Sequence, residues 1–210
     1  MGIEAEDVAR AFEGNEFEPH FQPLVDLRTG DLQGFELLAR WRHPQRGWIP
    51  PAEFIRSAEE GGWIDRLSSN LFRRAFSTIA RLPGELSLSI NVSAVQLRGF
   101  DLPTAIESIA ASTGLPASRL VIEITEGALA EDVAHARGIL TSLKSMGCRL
   151  ALDDFGTGYS SLTQLQSFPF DEIKIDGSFV GSMIERRDSR KIVAAVVGLG
   201  QSLGLQTAAE

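Results

Sequence analysis

The feature that most constrains the fold is a series of short apolar runs that end in polar or charged residues. The run 149–152, Arg-Leu-Ala-Leu, is typical of a buried strand and leads directly into Asp153 and Asp154. Helical patterns lie between the runs, and strands that alternate with helices predict a parallel sheet. In a barrel of such units, the carboxyl ends of the strands converge on the face that carries the active site. We therefore expect one pocket to collect Glu36, Asn91, Glu123, Asp153, Asp154, Lys174 and Glu210.

The residue types in this predicted pocket indicate hard divalent cations. Carboxylates and an asparagine carbonyl are oxygen ligands suited to Mg²⁺ or Mn²⁺, and the sequence has no cluster of cysteine and histidine that would favour zinc. A set of acids this large can hold two cations, as in two-metal phosphodiester hydrolysis. Lys174 would add a positive donor near a water or a phosphate oxygen, and Arg40 can make a bidentate contact with phosphate.

Two of these signals have simpler explanations when they are taken alone. Asp153 and Asp154 fit a solvated acidic turn at a strand end, and it is the recurrence of the pattern that favours a site. A lysine at a barrel strand end, such as Lys174, can form a Schiff base as in an aldolase, which requires an apolar or cationic setting. The surrounding carboxylates would instead hold Lys174 protonated, so the sequence favours a metal-dependent hydrolase.

Glycines, prolines and capping residues predict where the elements begin and end. Two strands, 17–26 and 32–41, flank the turn 28–31, so the first strand pair is expected to be antiparallel. The predicted helices are 4–12, one from Pro50-Pro51 to Gly61-Gly62, 64–82, one from Asp101 to Gly114, one closed by Gly147, and 189–203 closed by Gly204. The predicted buried stripe of the helix closed by Gly147 is Val133, Ala136, Ile139, Leu140 and Leu143.

The composition is that of one globular domain of 210 residues. A net charge of −8 argues against binding to DNA, to RNA or to an anionic membrane surface. The single cysteine, Cys148, rules out an intrachain disulfide and fits a cytoplasmic location. The first residues lack the pattern of a signal peptide, and no apolar stretch is long enough to span a membrane. We expect residues 1–16 to form a helical lead-in to a domain that covers 17–210.

Several motifs in a fixed order make the chain similar to the EAL-type cyclic di-GMP phosphodiesterases, from about Phe17 to Glu210. The most specific is the ten-residue motif 153–162, Asp-Asp-Phe-Gly-Thr-Gly-Tyr-Ser-Ser-Leu. The other matching segments are 22–27, 36–41, His43-Pro44 with Gly47, 91–94, 96–97, 123–126 and 174–180.

This resemblance implies an α/β fold, a modified TIM-type (β/α)8 barrel whose first strand runs antiparallel. It also implies that the protein hydrolyses cyclic di-GMP to the linear dinucleotide pGpG with two Mg²⁺ or Mn²⁺ ions, in bacterial signalling. The partners that it implies are a second copy of the chain, in a homodimer, and sensory or GGDEF-type domains upstream in the parent protein.

The resemblance also assigns roles in catalysis. The expected metal ligands are Glu36, Asn91, Glu123, Asp153, Asp154 and Glu210. Lys174 corresponds to the residue that orients or activates the attacking water, and Asp154 corresponds to a partner of that water. With the essential Glu36, these two residues form the expected catalytic set.

Three further residues receive roles outside the metal site. Gln22 and Arg40 correspond to substrate contacts. Glu126 corresponds to the anchor of the loop from about Phe155 to Leu162, which the family links to dimerisation and metal binding.

The sequence departs from the family pattern at three places. Leu37 stands where alanine is usual, and because it should face away from Glu36 we expect little effect. Gly177 stands where arginine is usual, which removes a surface or substrate contact. The chain stops at Glu210, where the family continues, so we expect a barrel that lacks its last strand and helices, has two unpaired sheet edges and holds Glu210 loosely.

Two functional hypotheses from different classes follow. The first is an enzyme, a cyclic di-GMP phosphodiesterase. The second is a non-hydrolysing cyclic di-GMP receptor or a regulatory dimerisation module. The retained metal ligands favour the enzyme, whereas the missing C-terminal part favours the module or no binding at all.

Overall fold

The computed structural model of the chain describes residues 2–129, 132–156, 165 and 167–210. Within these ranges the strands are β1 (Phe17–Val25), β2 (Leu32–His43), β3 (Gly47–Ile49), β4 (Ser87–Val92), β5 (Leu120–Thr125), β6 (Arg149–Phe155), β7 (Glu172–Ile175) and β8 (Gln206–Ala209). The helices are α1 (Ala5–Glu13), α2 (Pro51–Glu60), α3 (Ile64–Ala80), α4 (Gln96–Gly99), α5 (Leu102–Thr113), α6 (Glu126–Leu129), α7 (Val133–Ser145), α8 (Gly177–Ser182) and α9 (Arg187–Leu203), with a 3-10 turn at Ala117–Arg119. None of the helices in the described ranges is both long and apolar enough to cross a membrane.

The chain divides into two compact units. The first consists of Met1–Ile90 with Phe100–Leu120, and the second of Asn91–Gly99 with Val121–Glu210. Both units combine strands with helices that pack beside them, and each has its own buried apolar residues.

The sheet of the first unit begins with an antiparallel strand pair, as the sequence predicted. β1 pairs antiparallel with β2 along its whole length, and the short β3 pairs antiparallel with the end of β2. The Asp26 carboxylate holds the turn between β1 and β2, because its Oδ1 accepts the N–H groups of Arg28 and Thr29 at 2.8 and 3.0 Å. β4 runs parallel to β2, so the sheet changes from antiparallel to parallel pairing after the first hairpin.

An aromatic cluster fills the centre of the first unit. Phe17, Trp41 and Phe54 are buried, with ring centroids 5.3–5.6 Å apart. The indole Nε1 of Trp41 donates to Glu16 Oε2 at 2.7 Å, which satisfies the polar atom of this buried ring. The Trp41 side chain is therefore part of the core of this unit.

The described strands of the second unit are parallel, in the order β5-β6-β7-β8. α7 lies between β5 and β6 in the chain, and α9 lies between β7 and β8, as in repeated strand–helix–strand units. The interior positions of β5 and β6 are buried on both faces, which is typical of a parallel sheet covered by helices. Within the described residues, β8 has one strand neighbour, β7.

Local sequence signals predicted the helix ends well. Gly114 and Gly204 close α5 and α9 in the left-handed conformation, with φ of 75° and 71°. The Asp132 carboxylate caps α7 by accepting the N–H of His135 at 3.0 Å. One prediction for this helix is wrong: Val133 is 38% exposed, because it occupies the first position of the helix, ahead of the buried stripe. The buried side chains of α7 are Ala136, Leu140 and Leu143, with Ile139 partly exposed.

Candidate active site

The second unit buries a lysine among carboxylates. Lys174 on β7 is 1% exposed. Its Nζ lies 2.8 Å from Glu123 Oε2, 3.7 Å from Asp153 Oδ1 and 2.5 Å from Glu210 Oε1. A buried ammonium group is costly unless partners compensate its charge, and these carboxylates do so. The structure thus brings together residues that the sequence placed at the ends of four different strands.

Strand direction explains why these side chains meet. Because β5 to β8 are parallel, their carboxyl ends lie along the same edge. Glu123 pairs with Ala151, two residues before Asp153, and Lys174 pairs with Ala208, two residues before Glu210. The four side chains therefore leave neighbouring strands at similar levels, although Glu123 and Lys174 are 51 residues apart in the chain.

Asp153 and Asp154 interrupt the regular pairing of β6. The register between β6 and β7 shifts between Leu152 and Phe155, and Asp154 has a left-handed backbone conformation with φ of 55°. This conformation costs on the order of 1 kcal/mol in a residue other than glycine and is frequent at functional sites. The N–H of Asp154 donates to Asp153 Oδ1 at 2.8 Å, so the first carboxylate fixes the backbone of the second.

The surroundings of Asp154 are acidic. Burial raises the pKa of its carboxyl above the ordinary value, and the charges of Asp153 and Asp176 raise it further. Lys174 acts in the opposite direction without cancelling these effects. Asp153, Asp154 and Asp176 thus lie near one another at this end of β6 and β7, with Lys174 beside them.

Three of the carboxylates converge closely enough to hold a cation. Oxygen atoms of Asp153, Asp154 and Glu210 all lie within 4.8 Å of one another. These are the donors that Mg²⁺ and Mn²⁺ prefer, and one lysine does not balance the acids around it. The residues present therefore fit a divalent cation. Of the other predicted ligands in this unit, Glu123 is ion-paired with Lys174, and Asn91 lies near the carboxyl end of β4.

The expectation that Glu210 is held loosely is wrong. Its carboxylate pairs with Lys174, and its backbone N–H donates to the carbonyl oxygen of Ile175 at 3.3 Å. Gly177 lies beside it, since a Cβ at that position would be 3.6 Å from the Glu210 carbonyl oxygen. Glu210, which directly follows β8, is thus held against β7 by one backbone hydrogen bond and one ion pair.

The first unit carries the remaining predicted site residues on its hairpin. Gln22 pairs directly with Glu36, and Glu18 pairs with Arg40. Because directly opposed residues share a face of an antiparallel pair, Gln22, Glu36 and Arg40 face the same way. Glu36 is buried, Arg40 is half-buried and Gln22 is exposed. As predicted, Leu37 lies on the opposite face from Glu36, where it is buried.

The predicted loop anchor, Glu126, begins α6, and both its carboxylate oxygens are shielded from solvent. Of the loop from Phe155 to Leu162, only Phe155 and Gly156 belong to the described residues. The anchoring role of Glu126 therefore stays a prediction.

Sequence reasoning assigned no role to Asp176. In the structure its charge contributes to the raised pKa of Asp154, and its Oδ1 accepts the N–H of Ser178 at 3.0 Å as the N-cap of α8. The available signal was its position directly after β7, which repeats the pattern of the other residues at strand ends.

The contacts of Lys174 limit its chemistry. An ammonium group held by three carboxylates is stabilised in its charged form, so it donates hydrogen bonds and does not act as a nucleophile. This argues against a Schiff base at Lys174. The cluster instead offers a fixed donor beside several acceptors, which suits the positioning of a water or of an anionic group.

The strand order and the cluster at the strand ends define an α/β domain of the TIM-barrel type, with an antiparallel first strand. A family model described as "EAL domain" matches residues 5–210, and the chain belongs to this family. The fold class and the resemblance seen in the sequence are confirmed.

Individual relatives agree with this assignment. A Caulobacter vibrioides protein described as an "uncharacterized signaling protein" is 47% identical over 206 residues, covering 98% of this chain and 26% of that protein. The cyclic di-GMP phosphodiesterase RocR of Pseudomonas aeruginosa is 40% identical over 207 residues, covering 97% of this chain and 53% of that protein. The solved structure of the PaMucR phosphodiesterase in complex with c-di-GMP superposes with a TM-score of 0.90 at 33% identity, covering 97% of this chain and 84% of that one. The chain spans 26% to 53% of the length of these two curated relatives.

Proposed function

We propose that this chain hydrolyses cyclic di-GMP to linear pGpG in a metal-dependent reaction, and thereby lowers the level of a bacterial second messenger. The observation that carries the proposal is the buried Lys174, which pairs with Glu123, Asp153 and Glu210 at the ends of parallel strands. It occurs in a member of the EAL domain family, and the relatives RocR and PaMucR are named as phosphodiesterases.

The proposed cofactor is a pair of Mg²⁺ or Mn²⁺ ions. The convergence of Asp153, Asp154 and Glu210 supports at least one such ion in the second unit. When bound, these cations polarise phosphate oxygens and lower the pKa of water. The proposed ligands are Glu36, Asn91, Glu123, Asp153, Asp154 and Glu210.

The protein's own groups position the reactants. The ion pairs of Lys174 fix its ammonium group, which donates a hydrogen bond to the attacking water or to a phosphate oxygen. Asp154 accepts a hydrogen bond from the same water, so that donor and acceptor together orient it. Arg40 binds a phosphate through two parallel hydrogen bonds, and Gln22 contacts the substrate on the same face of the hairpin.

The decisive experiment is turnover of cyclic di-GMP by this chain with Mn²⁺ or Mg²⁺, with EDTA as the metal-free control. We expect formation of pGpG that stops in EDTA. Glu36→Ala and Asp153→Asn should abolish turnover while the circular dichroism spectrum is retained. Asp188→Asn is the matched control, because Asp188 lies on the exposed surface of α9, where it pairs with Lys191. Retained turnover in Glu36→Ala would contradict the proposal.

A binding measurement beside this turnover assay separates the enzyme from a receptor. Binding of cyclic di-GMP in EDTA, without cleavage in Mn²⁺, would replace the proposal by the receptor hypothesis.

A homodimer is proposed as well, and sedimentation of a monomer at high concentration with metal and ligand present would count against it. Four further expectations stay predictions: the helical lead-in 1–16, the domain 17–210, the cytoplasmic location and the upstream domains.

A further inference from the structure

An exposed aromatic pair lies on the hairpin of the first unit. Trp48 on β3 is 52% exposed, which is unusual for the largest apolar side chain in a domain with a well-filled core. Its ring meets the exposed His20 of β1 edge to face, with centroids 5.0 Å apart and planes at 70°. The two rings support each other but remain open to solvent.

The strand register places this pair on the face that carries the predicted substrate contacts. His20 pairs with Leu38, two residues along from the pair of Gln22 with Glu36. Side chains two residues apart share a face of a strand, so His20 lies on the face of Gln22, Glu36 and Arg40.

Trp48 reaches this face from the other side of β2. Trp41 of β2 pairs both with Phe17 of β1 and with Ile49 of β3, so β1 and β3 flank β2 on opposite edges. Trp48 itself opposes Arg42, which shares its face with Arg40 and Glu36. The contact of the Trp48 and His20 rings therefore crosses over β2 near its carboxyl end, on the face of Glu36.

We propose that Trp48 and His20 form a platform on which one guanine base of the substrate stacks. This inference rests on the function proposed above and deepens it, by naming the groups that read the base. Arg40 and Glu36 are suited to the phosphate and to cations, and neither offers an apolar surface for a purine. A base is separated from its phosphate by the ribose, so a base platform is expected a short distance along the strands from those groups.

The chemistry of the pair of rings suits either purine base, guanine or adenine. An indole ring presents a flat π surface, and stacking on it depends little on the hydrogen-bonding edge of the base. The platform should therefore contribute affinity without discriminating guanine from adenine. Its rings are already held edge to face, so little side-chain freedom is lost when a base binds.

The test is steady-state kinetics of the full chain with cyclic di-GMP and Mn²⁺. Trp48→Ala should raise KM about 5- to 150-fold, the range given by the stacking energy of one base, and leave kcat within about twofold. Trp48→Phe should restore most of the affinity, and His20→Ala should raise KM less than Trp48→Ala. Leu27→Ala is the control, because Leu27 is 88% exposed at the hairpin turn and should leave both constants unchanged. An unchanged KM in Trp48→Ala, with melting temperature retained, overturns the inference.

A binding measurement separates this inference from the proposed function. Calorimetry with cyclic di-GMP in EDTA reports affinity without turnover. If the parent chain binds but does not cleave, and Trp48→Ala weakens binding, the enzyme proposal fails and the platform stands. If the parent chain turns the substrate over and Trp48→Ala neither raises KM nor weakens binding, the platform fails alone. If the parent chain neither binds nor cleaves, both fail.

Discussion

The two units bury long cationic side chains with very different partners. Arg119 in the first unit is 7% exposed and donates to backbone carbonyl oxygens, to Leu86 O at 2.8 Å and to Ile79 O at 3.1 Å. Lys174 in the second unit is 1% exposed and lies among carboxylates. The charge of Arg119 is compensated by the dipoles of backbone carbonyl groups, whereas the charge of Lys174 is compensated by carboxylates that outnumber it.

This difference indicates what each cation does. Arg119 ties the 3-10 turn to the end of α3 and to the residue just before β4, which is a structural task. The carboxylates around Lys174 outnumber it, so the second unit has negative charge left for a cation. Burial alone does not distinguish a structural cation from a functional one, whereas the charge of its partners does.

The largest expected effect is that of Lys174→Met. The change leaves Glu123 and Asp153 buried without their positive partner, which should lower the free energy of unfolding by about 3–5 kcal/mol in EDTA. Urea denaturation should show part of this loss recovered in Mn²⁺, because a divalent cation compensates the same carboxylates. Cyclic di-GMP turnover should be lost. An equal loss of stability with and without Mn²⁺, together with retained turnover, would remove the distinction drawn between the two cations.

Arg119→Met should have a smaller effect that metal does not change. It leaves the carbonyl oxygens of Leu86 and Ile79 without their donor, at a cost of about 1–3 kcal/mol in the free energy of unfolding. The loss should be the same in EDTA and in Mn²⁺, and turnover should persist at temperatures where the variant is folded. A recovery of stability in Mn²⁺ would show that Arg119 also belongs to a charged cluster.

Lys144→Met is the control within the second unit and should cost at most about 1 kcal/mol. Lys144 Nζ pairs with both oxygens of Asp171 at 2.8 and 2.9 Å, but each side chain is 32% exposed. Asp171 also accepts the N–H of Leu150 at 2.8 Å, so its carboxylate keeps a partner. If urea denaturation shows a loss in the free energy of unfolding as large as that of Lys174→Met, burial does not account for the large effect expected at Lys174.

The smallest effect is expected for Glu172→Gln, and it should depend on pH. Burial raises the pKa of the Glu172 carboxyl, with Arg149 acting in the opposite direction. A raised pKa means that the stability due to this group is fully present below its ordinary pKa and is lost as pH rises through the raised value. At neutral pH the variant should therefore be more stable than the parent, within about 0.5 kcal/mol. Urea denaturation should show this difference shrinking as pH falls, and a difference that grows would contradict the sign.

Local signals were sufficient for the longer helices and for part of the site. Gly114 and Gly204 ended helices because glycine adopts the left-handed conformation easily, and Asp101 began one because a short carboxylate caps free N–H groups. The alternation of strands and helices predicted parallel strands, whose ends meet at one edge. That rule alone was enough to place Lys174 with Glu123 and Asp153.

Other features were decided only by the folded chain. The ion pair that holds Glu210 and the contact of Trp48 with His20 could not be predicted, because each depends on the position of residues distant in the chain. Periodicity and caps act within a few residues and therefore fix elements and faces. Charge compensation and ring contacts act through space, so the tertiary structure determined which acids neutralise Lys174 and how much negative charge remains for a cation.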